Sequence, residues 1–152
     1  MYHPESDTVK VTDFGIARLT DSSKTKTGMV LGTPSYMSPE QLAGKKIDGR
    51  SDLFSLAVSL YQMLCGKLPF EGESMGRLMF RISSEPPTDI LTVNPKVPAG
   101  IVAFLDRAMD KDPDQRFQTG EEFAAAVRQA AAAGVATRPT LETAASAVDI
   151  QL

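Results

Sequence analysis

The fold is decided by the stretch Ser51-Asp52-Leu53-Phe54-Ser55-Leu56-Ala57-Val58-Ser59-Leu60-Tyr61-Gln62-Met63-Leu64-Cys65-Gly66. Written on a helix, its large apolar side chains fall on nearly every side. A helix of that kind is typically buried among other helices. We therefore predict a central helix over residues 51–66, with the rest of the chain packed around it. Cys65, within this apolar run, is expected to be a buried, reduced thiol.

Helical spacing continues on the C-terminal side of this stretch. Apolar side chains recur at i, i+3, i+4 and i+7 in residues 75–82, which predicts an amphipathic helix. A proline-rich loop over residues 86–98 separates it from a second helical pattern in residues 101–109, which Asp112-Pro113 ends. Residues 119–122 read as a capping box that opens a last helix. The apolar face predicted for this helix consists of Phe123, Ala126, Val127 and Ala130.

On the N-terminal side, Ser38-Pro39-Glu40-Gln41 has the sequence of a helix start, with an N-cap serine, a proline at the first position and a glutamine three residues after the cap. Residues 9–12 alternate apolar and polar side chains, which predicts a short strand. Residues 20–33 are mostly small and polar and predict a loop. Residues 135–152 lack large apolar anchors, as expected of a linker or flexible tail.

Composition excludes several kinds of function. The chain has 152 residues, a net charge of −3, one Cys and one His. One Cys and one His cannot supply a structural zinc site, and an acidic protein is a poor partner for nucleic acid. The longest apolar stretch is too short to span a membrane, and the first residues lack the features of a signal peptide. The composition therefore predicts a cytoplasmic domain without nucleic-acid partners.

Four motifs in order resemble the second half of the catalytic domain of bacterial Ser/Thr protein kinases. They are Asp13-Phe14-Gly15, Gly32-Thr33-Pro34-Ser35-Tyr36-Met37-Ser38-Pro39-Glu40, Ser51-Asp52-Leu53-Phe54-Ser55-Leu56 and Asp112-Pro113-Asp114-Gln115-Arg116-Phe117. The resemblance extends over residues 9–129. It implies a mainly α fold, the C-terminal helical lobe of the kinase fold, with a short residual strand before Asp-Phe-Gly.

The resemblance implies roles for residues around the activation segment. Asp13 matches the Mg²⁺ ligand of the family, Thr25 and Thr27 match its phosphorylated threonines, and Thr33 matches the threonine near the substrate. Glu40 would form a buried ion pair with Arg116 that fixes the activation segment to the late helices. Asp52 would accept backbone N–H groups of the catalytic loop, or else act only as a charge at a helix N-terminus. The implied activation-segment residues are Asp13, Phe14, Gly15, Thr25, Thr27, Thr33 and Glu40, with Glu40, Arg116 and Asp52 as structural residues.

The same resemblance limits what this chain is expected to do alone. In the family the Gly-rich loop, the phosphate-binding Lys and the catalytic Asp all precede Asp-Phe-Gly. Only 12 residues precede Asp13 here, so no catalytic residue is assigned. Members of the family use ATP and Mg²⁺, but we expect this chain to bind neither by itself. The resemblance is to non-specific Ser/Thr protein kinases. It does not predict that this chain is an active enzyme.

We therefore divide the chain into a partial kinase domain, residues 1–133, and a flexible tail or linker, residues 134–152. The first hypothesis is that it is part of a Ser/Thr protein kinase, inactive alone because of an internal start, a disrupted gene or a missing upstream portion. The second is a catalytically dead protein-binding module or a phosphorylation substrate, and the third a structural remnant. Expected partners are protein substrates or a missing N-terminal kinase portion, with self-association through exposed apolar surface. By resemblance, the chain could also be the cytosolic part of a membrane-anchored receptor kinase.

Overall fold

The computed structural model describes residues 2–9 and 34–136, which fall into two separate units. The first unit holds a small antiparallel hairpin of β1, Tyr2–His3, and β2, Thr8–Val9, with Tyr2 opposite Val9 and His3 opposite Thr8. A 3₁₀ turn over Pro4–Ser6 joins the strands, and Asp7 closes it in the left-handed conformation with a φ of 47°. The hairpin was not predicted. Of the strand predicted over residues 9–12, only Val9 lies within the described residues, and it belongs to β2.

The second unit is helical and is built around α2, Gly49–Cys65. The helix begins two residues earlier than predicted because Asp48 is its N-cap and accepts the Arg50 N–H at 2.9 Å. It ends where Gly66 adopts a φ of 76°, which favours glycine. The predicted central helix is therefore present.

The prediction that α2 is buried on all sides is wrong. Its buried residues form one face, made up of Ser51, Phe54, Ala57, Val58 and Tyr61. Leu56 and Met63 remain 49% and 74% exposed. Cys65, expected to be buried, is half-buried, and it is the last residue of the helix.

Four further helices complete the described part of this unit. They are α1, Pro39–Leu42; α3, Met75–Ser84; α4, Ala99–Ala108; and α5, Gly120–Ala136. Short 3₁₀ turns lie at Pro34–Tyr36, Ile90–Thr92 and Pro113–Gln115. The helix α5 continues into residues 134–136, which the sequence had assigned to the tail, and residues 137–152 lie outside the described part of the chain.

The core forms where α4 and α5 pack together beside α2. Three aromatic rings meet there, with centroid distances of 5.0 Å for Phe104–Phe117 and 4.8 Å for Phe104–Phe123. The five apolar residues whose helical spacing predicts α4 are all buried: Ile101, Phe104, Leu105, Ala108 and Met109. Phe117 is thereby fixed in the core, and its neighbour Arg116 is also buried. The mainly α fold predicted for the helical lobe of a kinase is confirmed.

Candidate functional site

The candidate site begins at α1, whose start is held by a complete capping box. The Ser38 hydroxyl accepts the Gln41 N–H, and the Gln41 side chain accepts the Ser38 N–H at 2.8 Å. Pro39 follows the cap at the first helical position, where its missing N–H is not needed. This box directs Glu40 into the protein, where the residue is 6% exposed.

Glu40 forms a bidentate ion pair with Arg116. The Nη1 and Nη2 atoms of Arg116 lie 2.7 and 2.8 Å from the two carboxylate oxygens of Glu40. The Ser51 hydroxyl of α2 also donates to this carboxylate. Arg116 is 1% exposed, so the pair is closed to solvent. Parallel N–H···O bonds of this type fix both the distance and the orientation of the two groups.

The remaining N–H groups of Arg116 are also satisfied. Its Nε donates to the carbonyl of Asp110 at 2.7 Å, and Nη1 and Nη2 donate to the carbonyls of Arg50 and Lys111 at 3.2 and 3.3 Å. The guanidinium also lies 4.9 Å from the centre of the Phe54 ring. One side chain thus joins α1, α2 and the loop before Pro113.

Electrostatics keep Glu40 ionised in this buried position. Burial alone would raise the pKa of Glu40, but hydrogen bonds from Arg116 and Ser51 outweigh it. The pKa falls from 4.5 to about 2. The carboxylate is therefore charged throughout the physiological pH range.

A second set of contacts holds residues 34–42 (segment 34–42) on α2. The Tyr36 hydroxyl donates to the side-chain carbonyl of Gln62, and the Ser55 hydroxyl donates to the Tyr36 carbonyl at 2.7 Å. Segment 34–42 is thus attached to α2 at Ser51, Ser55 and Gln62, over about three turns of the helix. The sequence pattern gave no indication of these three polar contacts.

The other site residues predicted from the sequence are not part of the Glu40–Arg116 pair. Asp52 is exposed in the first turn of α2, where the positive end of the helix dipole favours a carboxylate. Asp13, Phe14, Gly15, Thr25, Thr27 and Thr33 all lie outside the described residues. Residues 2–9 and 34–136 contain no group of three or more His, Cys, Asp or Glu side chains able to hold a metal ion.

The sequence reasoning also missed Lys111. Its Nζ donates to the Ile82 carbonyl at 2.7 Å, near the end of α3, and lies 3.9 Å from the centre of the Phe70 ring. Burial lowers the pKa of Lys111, and Arg116 lowers it further, to about 8. Lys111 therefore links the loop that carries Arg116 to α3.

A helical unit in which a Pro-Glu segment is bound to a late arginine by a buried ion pair is the arrangement expected for the helical lobe of a kinase. A family model described as the protein kinase domain matches residues 1–128 of the chain. The chain belongs to the protein kinase domain family.

Individual relatives point to the bacterial Ser/Thr branch of this family. Serine/threonine-protein kinase Pkn1 of Myxococcus xanthus is 40% identical over 126 residues, which cover 82% of this chain and 18% of the relative. Serine/threonine-protein kinase pkn3 from the same organism is 41% identical over 128 residues, which cover 80% of this chain and 23% of the relative. A probable serine/threonine-protein kinase PknB of Corynebacterium glutamicum is 40% identical over 149 residues, which cover 88% of this chain and 23% of the relative. The chain thus spans about a fifth of the length of these relatives.

No helix within the described ranges combines the length and the apolar character required to cross a bilayer.

Proposed function

We propose that this chain serves as the C-terminal lobe portion of a Ser/Thr protein kinase that transfers the γ-phosphate of ATP to protein hydroxyls. The observation that carries the proposal is the buried Glu40–Arg116 pair, which fixes segment 34–42 onto α2. In a kinase, the activation segment must be held rigidly because catalysis depends on positioning the substrate and phosphates. The cytoplasm is the proposed place of action, on the basis of composition.

We also propose that the chain does not transfer phosphate on its own. The sequence contains neither a Gly-x-Gly-x-x-Gly motif nor a His-Arg-Asp motif, and its only histidine is His3. ATP and Mg²⁺ are therefore proposed as cofactors of an intact kinase, in which Asp13 would supply one carboxylate to the metal. In that setting Thr25 and Thr27 are the proposed phosphorylation sites, Thr33 the residue near the substrate, and residues 1–133 the kinase portion.

The test is phosphotransfer by a chimaera. The part of Myxococcus xanthus Pkn1 that precedes the position matching Asp13 is joined to residues 13–152 of this chain and assayed with radiolabelled ATP, Mg²⁺ and a generic protein substrate. We expect transfer by the chimaera and none by the chain alone. Asp13→Ala should abolish the activity of the chimaera, with Glu121→Gln, an exposed carboxylate on α5, as the control variant.

The alternative is a binding module without catalysis, and the exposed apolar side chains of α2 favour it. The side chains of Leu56 and Met63 form exposed apolar surface that another polypeptide could cover. A chimaera that folds, shown by a cooperative thermal transition, but transfers no phosphate would overturn the kinase proposal in favour of this alternative.

A further inference from the structure

A cleft of about 290 Å³ opens between α4 and the loop formed by residues 86–91. It is separate from the Glu40–Arg116 site. Its walls are apolar and consist of Pro86, Pro87, Leu91, Val102 and Leu105. Pockets for drug-sized ligands have volumes of roughly 300–1,000 Å³, so this cleft lies at the small end of the range.

The floor and one wall of the cleft are held in place by hydrogen bonds. Tyr61 of α2, buried at the floor, donates its hydroxyl to the Thr88 carbonyl at 3.0 Å. The Thr88 N–H donates to the Pro69 carbonyl at 2.9 Å, and Arg81 donates to the Thr88 hydroxyl at 3.1 Å. Because Thr88 makes three hydrogen bonds and the loop contains two prolines, the cleft is formed before any ligand arrives.

Two carboxylates, Asp89 and Asp106, line the cleft from opposite elements. One oxygen of Asp89 accepts the Leu91 N–H at 2.9 Å. Within the described ranges the Asp106 carboxylate makes no hydrogen bond or ion pair, and no Lys or Arg lines the cleft. Burial raises the pKa of Asp106, and the nearby charge of Asp89 raises it further. The cleft therefore combines apolar walls with uncompensated negative charge.

We propose that this cleft binds an extended protein segment in which an arginine or lysine side chain is adjacent to an apolar residue. The cation would pair with Asp106 and Asp89, and the apolar neighbour would contact the proline wall. Charge complementarity selects the cationic group, because a cation removes the repulsion between two carboxylates. The small volume and the rim residue Leu91, which is 40% exposed, favour a segment that crosses the cleft over an enclosed small molecule.

The proposal is tested by NMR titration of the ¹⁵N-labelled 152-residue chain with a capped peptide, Ala-Leu-Arg-Leu-Pro-Ala. We expect shifts confined to the amides of residues 88–91 and 102–106, weakening as salt is added. Citrulline in place of the arginine keeps the shape and removes the charge. It should weaken binding by about tenfold, as expected for the loss of a charge-assisted hydrogen bond.

Variants locate the charge that the peptide uses. Asp106→Asn, an exposed and isosteric change, should weaken binding by about tenfold, whereas Glu121→Gln on α5 should leave it unchanged. Equal weakening by both variants, or shifts spread over the whole surface, would overturn the proposal.

Binding of spermidine as tight as that of the peptide would show a small-molecule amine site instead. Tighter peptide binding by Arg138→Gln would make this chain's own C-terminal segment the occupant, and the proposed external partner would then be wrong.

Discussion

At the scale of single residues, Arg116 shows why a charged side chain is tolerated in this core. All five of its N–H groups have acceptors in the protein, and two of them share the Glu40 carboxylate. A buried ion pair gains little over a well-packed apolar pair, because both ions must first lose their water. Removing one partner is different, because the other charge then remains buried without compensation. The pair should therefore be sensitive to single substitutions.

Arg116→Ala is expected to lower the free energy of unfolding by about 3 to 5 kcal/mol, since it leaves the Glu40 carboxylate uncompensated. Urea denaturation followed by circular dichroism measures the change. The control is Arg50→Ala, which removes an arginine whose partners Asp48 and Asp114 are 44% and 78% exposed and remain solvated, so it should cost less than about 1 kcal/mol. Similar midpoint shifts for the two variants would show that the Arg116 pair has no special role.

The low pKa of Glu40 predicts a loss of stability in acid. Because its pKa in the folded protein, about 2, lies below the ordinary value of 4.5, the contribution is present above pH 4.5 and disappears as the pH falls toward 2. The shift corresponds to about 3 kcal/mol. Urea midpoints at pH 6, 4 and 3 should fall more steeply for the wild type than for Glu40→Gln. Parallel curves would mean that other carboxylates account for the acid sensitivity.

At the scale of elements, α1 has only four residues and depends on its cap. Ser38→Ala removes the acceptor for the Gln41 N–H and should destabilise the protein by about 1 kcal/mol. The loss should be local, so hydrogen exchange of the Gln41 amide should accelerate while α4 stays protected. Ser74→Ala, which removes the corresponding cap of α3, is the matched control and should instead affect the Arg77 amide. Unchanged exchange at Gln41 in Ser38→Ala would show that the ion pair alone holds α1.

Elements differed in how far the sequence could predict them. The capping box at Ser38 and the buried face of α4 followed from local spacing alone, and the structure contains both. The Glu40–Arg116 pair came from the family resemblance, because residues 76 positions apart in the sequence carry no local signal of their contact. The hairpin over residues 2–9 was missed because two-residue strands are too short for an alternating pattern to be recognised.

The polar contacts of segment 34–42 and the cleft lined by Asp89 and Asp106 could not be predicted from the sequence, for a different reason. Ser51, Ser55 and Gln62 are polar positions beside or within the apolar run of α2 and look solvent-facing, yet all three bind segment 34–42. Asp89 and Asp106 lie on different elements, and only tertiary packing brings them to one cleft. Conversely, the apolar run at Leu56 and Met63 suggested burial that the structure does not have.

At the scale of the whole molecule, the exposed apolar side chains set the expected solution behaviour. Leu56 and Met63 on α2, with Met75 and Phe80 on α3, are each about half exposed or more. We expect the purified chain to bind a hydrophobic dye or to self-associate, because large exposed apolar patches do both. Sedimentation and dye fluorescence measure this.

The paired variant Leu56→Gln and Met63→Gln should reduce dye binding without lowering the urea midpoint, since neither side chain is in the core. Arg128→Gln, an exposed polar substitution on α5, is the control. A wild-type chain that is a monodisperse monomer and ignores the dye would contradict the expectation.

The separation of 76 residues between Glu40 and Arg116 has a consequence for the order in which the protein forms during translation. At about 5–20 residues per second, the ribosome needs roughly 4 to 15 seconds between the two residues. During that interval the Glu40 carboxylate has no counter-ion from Arg116, so segment 34–42 cannot dock in its final form. In the full-length chain, a contact across 76 residues requires the closure of a long loop, so we expect it to form after the folding transition state. Arg116→Ala should then accelerate unfolding while leaving the refolding rate nearly unchanged. Nascent chains halted before Arg116 emerges should consequently present segment 34–42 to chaperones.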